Sequence, residues 1–191
     1  YAIETLRFVP ARPTTQALLA LLARKAGTHA HGADWAAWMR WQWKRLPPPA
    51  DYARFKAELH RELDPRFEAY FAPDRTALVR LDEVVWGGVG QDGIPPLRTP
   101  AMVPARAAAY LADTDIVFGL EINGDARAYP KRILAWHEMF TDRVGGVDVA
   151  GVYCTLCGAV VVYEANAGGR LHRLGTSGFL YRSNKLMYDA D

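Results

Sequence analysis

Cys154 and Cys157 are the only cysteines of the chain, spaced as C-x-x-C and followed by Gly158. Two thiols at that spacing can do three things. As thiolates they can hold a soft metal ion, as a dithiol they can cycle with a disulfide, and as a bridge they can close a turn. The flanking runs "VDVAGVY" and "AVVVYE" alternate or are rich in β-branched residues, so the pair is expected at the tip of a hairpin. A hairpin tip aims both sulfurs and several backbone N–H groups at one point, and the glycine allows the sharp bend.

A closed zinc site needs four ligands, and this sequence offers one C-x-x-C pair. The remaining ligands must come from elsewhere. His137 shares a helical face with Ile133 and Phe140 that should point inward, which makes it the first candidate. Glu138, next to it, points a quarter-turn away. Met187 in "KLMYD" offers a thioether suited to Cu(I), although a methionine in a strand also reads as core. Cys154, Cys157, His137 and Met187 therefore form the expected metal set, with copper or zinc as the ion. Thioredoxin-type chemistry normally places its first cysteine at a helix N-terminus. The three valines after Cys157 favour a strand there, which removes that source of thiolate stabilisation but leaves other redox pairs open.

Other segments carry weaker signals. "GTSG", Gly175–Gly178, departs from the G-x-S-x-G nucleophile elbow by one residue and reads as a tight turn between strands. "WGGVGQDG", Trp86 to Gly93, lacks the spacing and lysine of a phosphate loop and reads as a bend. Trp35, Trp38, Trp41 and Trp43 read as filling between helices. His29, His31 and His60 receive no role.

The elements that position these residues fall into two halves. Residues 1–72 have helical periodicity: Thr14 or Thr15 should cap "QALLALLARKA", with Gly27 closing it. Asp34 should cap "WAAWMRWQWKRL", which the prolines 47–49 end, Asp51 should cap "YARFKAELHREL", and Pro65 should open "PRFEAYF". Residues 76–191 change to short alternating runs. "ALVRLDEVVWGGV" reads as a strand, Asn123-Gly124 demands a type I′ hairpin, and a helix "KRILAWHEMFTD" follows Pro130. The expected fold class is α+β, a small helical N-terminal domain before a mostly antiparallel β domain with one embedded helix.

Composition narrows the function. Of 191 residues, 23 are basic and 21 acidic, a net charge of +2. That balance gives no electrostatic footprint for nucleic acid. No apolar run reaches the length of a membrane span. The chain starts at Tyr1 without a leader and ends at "LMYDAD", and both ends read as processed or cut.

Four motifs together resemble a known family. "EINGDARAYP", "WHE", "YCTLCG" and "GTSGFLYRS", spread over roughly Val84 to Asp191, are similar to the bacterial domain of unknown function 3179. The resemblance implies that His137, Cys154, Cys157 and Met187 are motif positions, and that the domain continues past Asp191. It also implies an exported protein in a periplasmic or cell-surface setting. The helical half resembles the capping end of a HEAT-like repeat. Two alternatives to metal binding stay open: a cysteine-dependent redox enzyme with His137 as base, and an interaction module whose N-terminal helices take a protein partner.

Overall fold

The computed structural model of the chain describes residues 1–9, 12–45 and 47–191. It divides into two compact units, Tyr1–Val84 and Val85–Asp191. The first is built of helices and the second mainly of antiparallel strands, so the fold class is α+β.

In the helical unit, α1 is Ala2–Thr5, α2 is Arg12–Ala26, α3 is Trp35–Trp43 and α4 is Tyr52–Arg61, followed by a 3₁₀ helix over Pro65–Phe71. Asp34 caps α3 by accepting the Ala37 N–H at 2.9 Å. Gly27, at φ +67°, closes α2 in the left-handed conformation that glycine takes most easily. The start of α2 differs from expectation: the helix already runs at Arg12, and Thr15 instead donates its hydroxyl to Val9 O at 3.0 Å. Asp51 occupies the N-cap of α4 without a side-chain cap, because its carboxylate accepts the Tyr1 hydroxyl. The expected end of the α3 segment, Leu46, lies outside the described residues. Trp38 is fully buried with its ring edge-on to Trp41, and Trp43 donates to Asp82 O, which is the filling role its spacing suggests.

A polar cluster is buried within the apolar core of this unit. Lys56 is completely buried, forms an ion pair with Glu4 and donates to Val84 O at 2.7 Å. Tyr52 donates its hydroxyl to the other oxygen of Glu4. His60, also fully buried, bonds through Nδ1 to Lys56 O at 2.9 Å. Burial first, and then the Lys56 charge, push His60 down to about 4 from 6.5. The unfolded chain therefore takes up this proton near pH 6.5 and the folded one only near 4. Stability should be full above 6.5 and fall as pH drops through that window, by up to roughly 3 kcal/mol. Denaturant midpoints against pH check this: His60→Gln should flatten the slope between pH 6.5 and 4, and an unchanged slope counts against it.

Strand β1, Val84–Trp86, begins on the last residue of the first unit; in the second unit β2 is Leu97–Arg98, β3 Val117–Ile122, β4 Asp125–Pro130 and α5 Lys131–His137. Then come β5 (Met139–Val144), β6 (Val147–Cys154), β7 (Ala159–Glu164), β8 (Asn166–Ala167), β9 (Arg170–Leu171), β10 (Leu174–Tyr181) and β11 (Asn184–Asp189). β3 and β4 pair from Val117↔Pro130 to Ile122↔Asp125 across Asn123 and Gly124, both at positive φ, the hairpin that Asn-Gly demands. The main sheet runs β2-β5-β6-β7, with β2 parallel to β5 and the rest antiparallel. A second sheet runs β1-β10-β11.

The two central strands of the main sheet, β5 and β6, are buried on both faces. Phe140, Val144, Val149 and Tyr153 pack with Tyr129 and Leu134, while Met139, Ala150 and Val152 pack with Leu174 and Met187. That two-sided burial corrects two expectations. The helix after Pro130 stops at His137, because Glu138 turns left-handed (φ +54°) and Met139–Val144 become strand, sending neighbours into opposite cores. The strand expected over "ALVRLDEVVWGGV" shrinks to Val84–Trp86. Before it, Leu81–Glu83 form a 3₁₀ turn whose Asp82 carboxylate is held by Arg80 and Gln42. Gly151 opposes Phe140 across β5–β6, and a Cβ there would run into the Phe140 ring.

Candidate thiol site

β6 ends on Cys154 and β7 begins on Ala159, paired with each other, so the turn between them carries both cysteines. Cys154 O accepts the N–H groups of Cys157 (3.2 Å) and Gly158 (2.8 Å), and Gly158 takes φ +67° to complete the bend. Both thiols are free; Cys154 is half-buried and Cys157 exposed. Their sulfurs are in direct contact, the Cys154 thiol donating to Cys157, and the Cys157 N–H points back at the Cys154 sulfur from 3.3 Å. A backbone donor is thus aimed at the Cys154 sulfur. The hydrogen bond with Cys154 pushes the Cys157 thiol above the ordinary range, with smaller contributions from burial and the Cys154 charge.

Cys154 opens onto a cavity of about 210 Å³. Its polar lining is Glu138, Thr155, Thr176 and Lys185, and its apolar wall includes Val89, Ile94 and Phe179. Glu138 reaches it because the left-handed turn at the end of α5 swings it away from the helix axis. Its backbone carbonyl accepts the Tyr153 N–H at 2.9 Å, and its carboxylate accepts Thr155 Oγ1 at 3.1 Å and pairs with Lys185. Burial pushes Lys185 below the usual amine range, opposed by Glu138 and by the charge of Cys154. The site therefore sets a sheltered cation beside the Cys154 sulfur.

Lys185 comes from the β10–β11 hairpin, whose two-residue turn, Arg182 and Ser183, holds both at positive φ without glycine. Such backbone costs on the order of 1 kcal/mol per residue. The turn brings Asn184 to the cysteines, with Oδ1 3.7 Å from Cys157 Sγ. The "GTSG" segment is a bulge inside β10, not the tight turn expected. The register shifts between Thr176 and Leu180, Ser177 Oγ donates to Leu186 O at 2.6 Å, and Gly178 stands at φ +83°. Gly178 O accepts the Gly87 N–H at 2.7 Å, fastening the start of the glycine-rich bend to the bulge. Asp92 fastens its end, accepting the Thr176 N–H at 3.1 Å and the Tyr188 hydroxyl at 2.6 Å. The bend thereby becomes one wall of the cavity.

His137 and Met187 lie in different settings from the thiols. His137 Nδ1 donates to Pro95 O at 2.9 Å. Met187 sits opposite Thr176 and packs against Met139, Ala150 and Val152. Among the described residues no three of His, Cys, Asp and Glu gather to hold a metal ion. No helix among them is long and apolar enough to cross a membrane.

The family model for a protein of unknown function (DUF3179) matches residues 91–191, just over half of the chain and every residue of the thiol turn. No curated protein matches the chain, and no solved structure does.

Proposed function

The chain belongs to the DUF3179 family, and we propose that Cys154 and Cys157 carry its chemistry as a dithiol that exchanges with substrate disulfides. The observation that supports this most is the pair itself: two free thiols in direct contact at the mouth of a cavity holding Lys185. Cys154, having given its proton to solvent, attacks one sulfur of a substrate disulfide. A mixed disulfide forms and the first substrate thiolate leaves, taking up a proton. Cys157 then loses its proton and attacks Cys154 Sγ, releasing the second substrate thiol. The substrate gains two electrons and the protein becomes the Cys154–Cys157 disulfide. Lys185 stands where it offsets the charge of the attacking sulfur, and Glu138 with Thr155 holds Lys185 in place. An exported, oxidising setting would supply such disulfides.

The turn supports a second reading. Backbone N–H groups that close on Cys154 form a knuckle of the kind that presents thiolates to a metal. Two thiolates alone suit two-coordinate copper(I) better than tetrahedral zinc. One experiment separates the two. Protein purified anaerobically without chelator should show two titratable thiols and no stoichiometric metal. A small disulfide should then convert it to a form lighter by two hydrogens, restored by reductant. One bound metal per chain, lost on thiol alkylation, would replace the redox reading with the copper reading.

A further inference from the structure

We propose that the free edge of β7 is a docking strand for an extended polypeptide that carries the disulfide to Cys154; this rests on the dithiol reading and names its substrate class. β7 is the last strand of the order β2-β5-β6-β7, and among the described residues no strand pairs with its outer side. Folded proteins normally protect such an edge with lysine, proline or a bulge. Here Val160, Val161, Val162 and Tyr163 run through the strand with none of these. Val161, Val162 and Tyr163 are 51%, 38% and 47% exposed, so side chains on both faces stand open.

The edge also leads to the chemistry. Its first residue, Ala159, is paired with Cys154 and lies two positions after Cys157. Leu156, between the cysteines, is 72% exposed and extends the apolar strip past the end of the strand. An added strand lies about 4.8 Å from β7 and contributes its own backbone donors and acceptors, whatever its sequence. It would end at the cysteine turn. The exposed run carries no charged side chain before Glu164, so it offers no anchor for the carboxylates of a small charged disulfide. A polypeptide main chain is what it can read. The competing occupant is β7 of a second copy.

The test uses the reduced full chain and a peptide of about ten residues rich in valine and threonine. Its single cysteine is blocked as a mixed disulfide with thionitrobenzoate. Attack on the peptide sulfur releases the coloured thiolate. Two further peptides have every second amide N-methylated, one in each register, and the symmetric thionitrobenzoate disulfide serves as the small substrate. The parent peptide should react roughly tenfold or more faster than one of the methylated pair, the worth of two or three main-chain hydrogen bonds. Equal rates for all three peptides would overturn the docking strand, while the small disulfide still yielding an internal Cys154–Cys157 bridge would leave the dithiol reading intact. Failure to form that bridge from any substrate would end both. A dimer whose β7 amides resist hydrogen exchange would assign the edge to a second copy and overturn the proposal.

Discussion

Cys157→Ser protein, reduced and mixed with a substrate disulfide, is expected to stop at a stable mixed disulfide through Cys154, about one per chain, where the unaltered protein releases both thiols. The Cys157 N–H points at the Cys154 sulfur, and Cys157 holds its own proton more tightly than usual, so Cys154 is placed to attack. Serine at 157 keeps the N–H donor and removes the only group that could resolve the adduct. Cys154→Ser should give the opposite picture. The remaining Cys157 is exposed and reacts, but its proton stays bound more tightly than usual, chiefly through the hydrogen bond to residue 154, and serine there still offers an acceptor oxygen. Its reaction at neutral pH should be slower than that of Cys154 in Cys157→Ser, and recover only as pH rises above the ordinary thiol range. Intact-mass measurement of the quenched reaction reads both variants. An adduct that accumulates in Cys154→Ser and not in Cys157→Ser would reverse the two roles, and none in either would remove exchange altogether.

The parts of this site that are legible in the sequence are those fixed within a few residues. C-x-x-C-G between strand-like runs predicts the hairpin tip, and Asn123-Gly124 predicts its hairpin, because each depends on local φ preference. Glu138 is invisible in that way. Helical spacing turns it away from His137, and only the left-handed break, imposed by Met139 and Phe140 entering two different cores, brings it to Lys185. Lys185 lies 31 residues beyond Cys154 and meets it through the packing of two hairpins, which no short-range pattern announces. Arg182 and Ser183 hide their turn for a related reason: neither residue type signals positive φ, so the conformation is held by the strands on either side. The same holds in the helical unit. Asp34 is legible as a cap, whereas Lys56 and His60 read as surface residues of α4 until Glu4, 52 positions from Lys56, closes over them.

That closure makes Glu4→Ala the substitution with the largest expected cost in stability. Lys56 has no exposed side-chain surface, and burial pushes its amine below the ordinary range, with Glu4 the main opposing influence. Removing the carboxylate leaves the ammonium with Val84 O and strips the Tyr52 hydroxyl of its acceptor. A buried charge deprived of its partner typically costs about 3–5 kcal/mol, against a total of about 5–15 kcal/mol for a whole domain. Chemical denaturation should therefore show Glu4→Ala unfolding at far lower denaturant, with the helical unit lost first. Converting both members to methionine separates charge burial from simple loss of contact. With no ion left to shelter, Glu4→Met with Lys56→Met should recover more than half of the loss, the rest remaining because the Tyr52 hydroxyl has lost its carboxylate acceptor and Val84 O its ammonium donor. A single substitution costing less than about 1 kcal/mol would mean that water reaches Lys56 and that the pair behaves as a surface one.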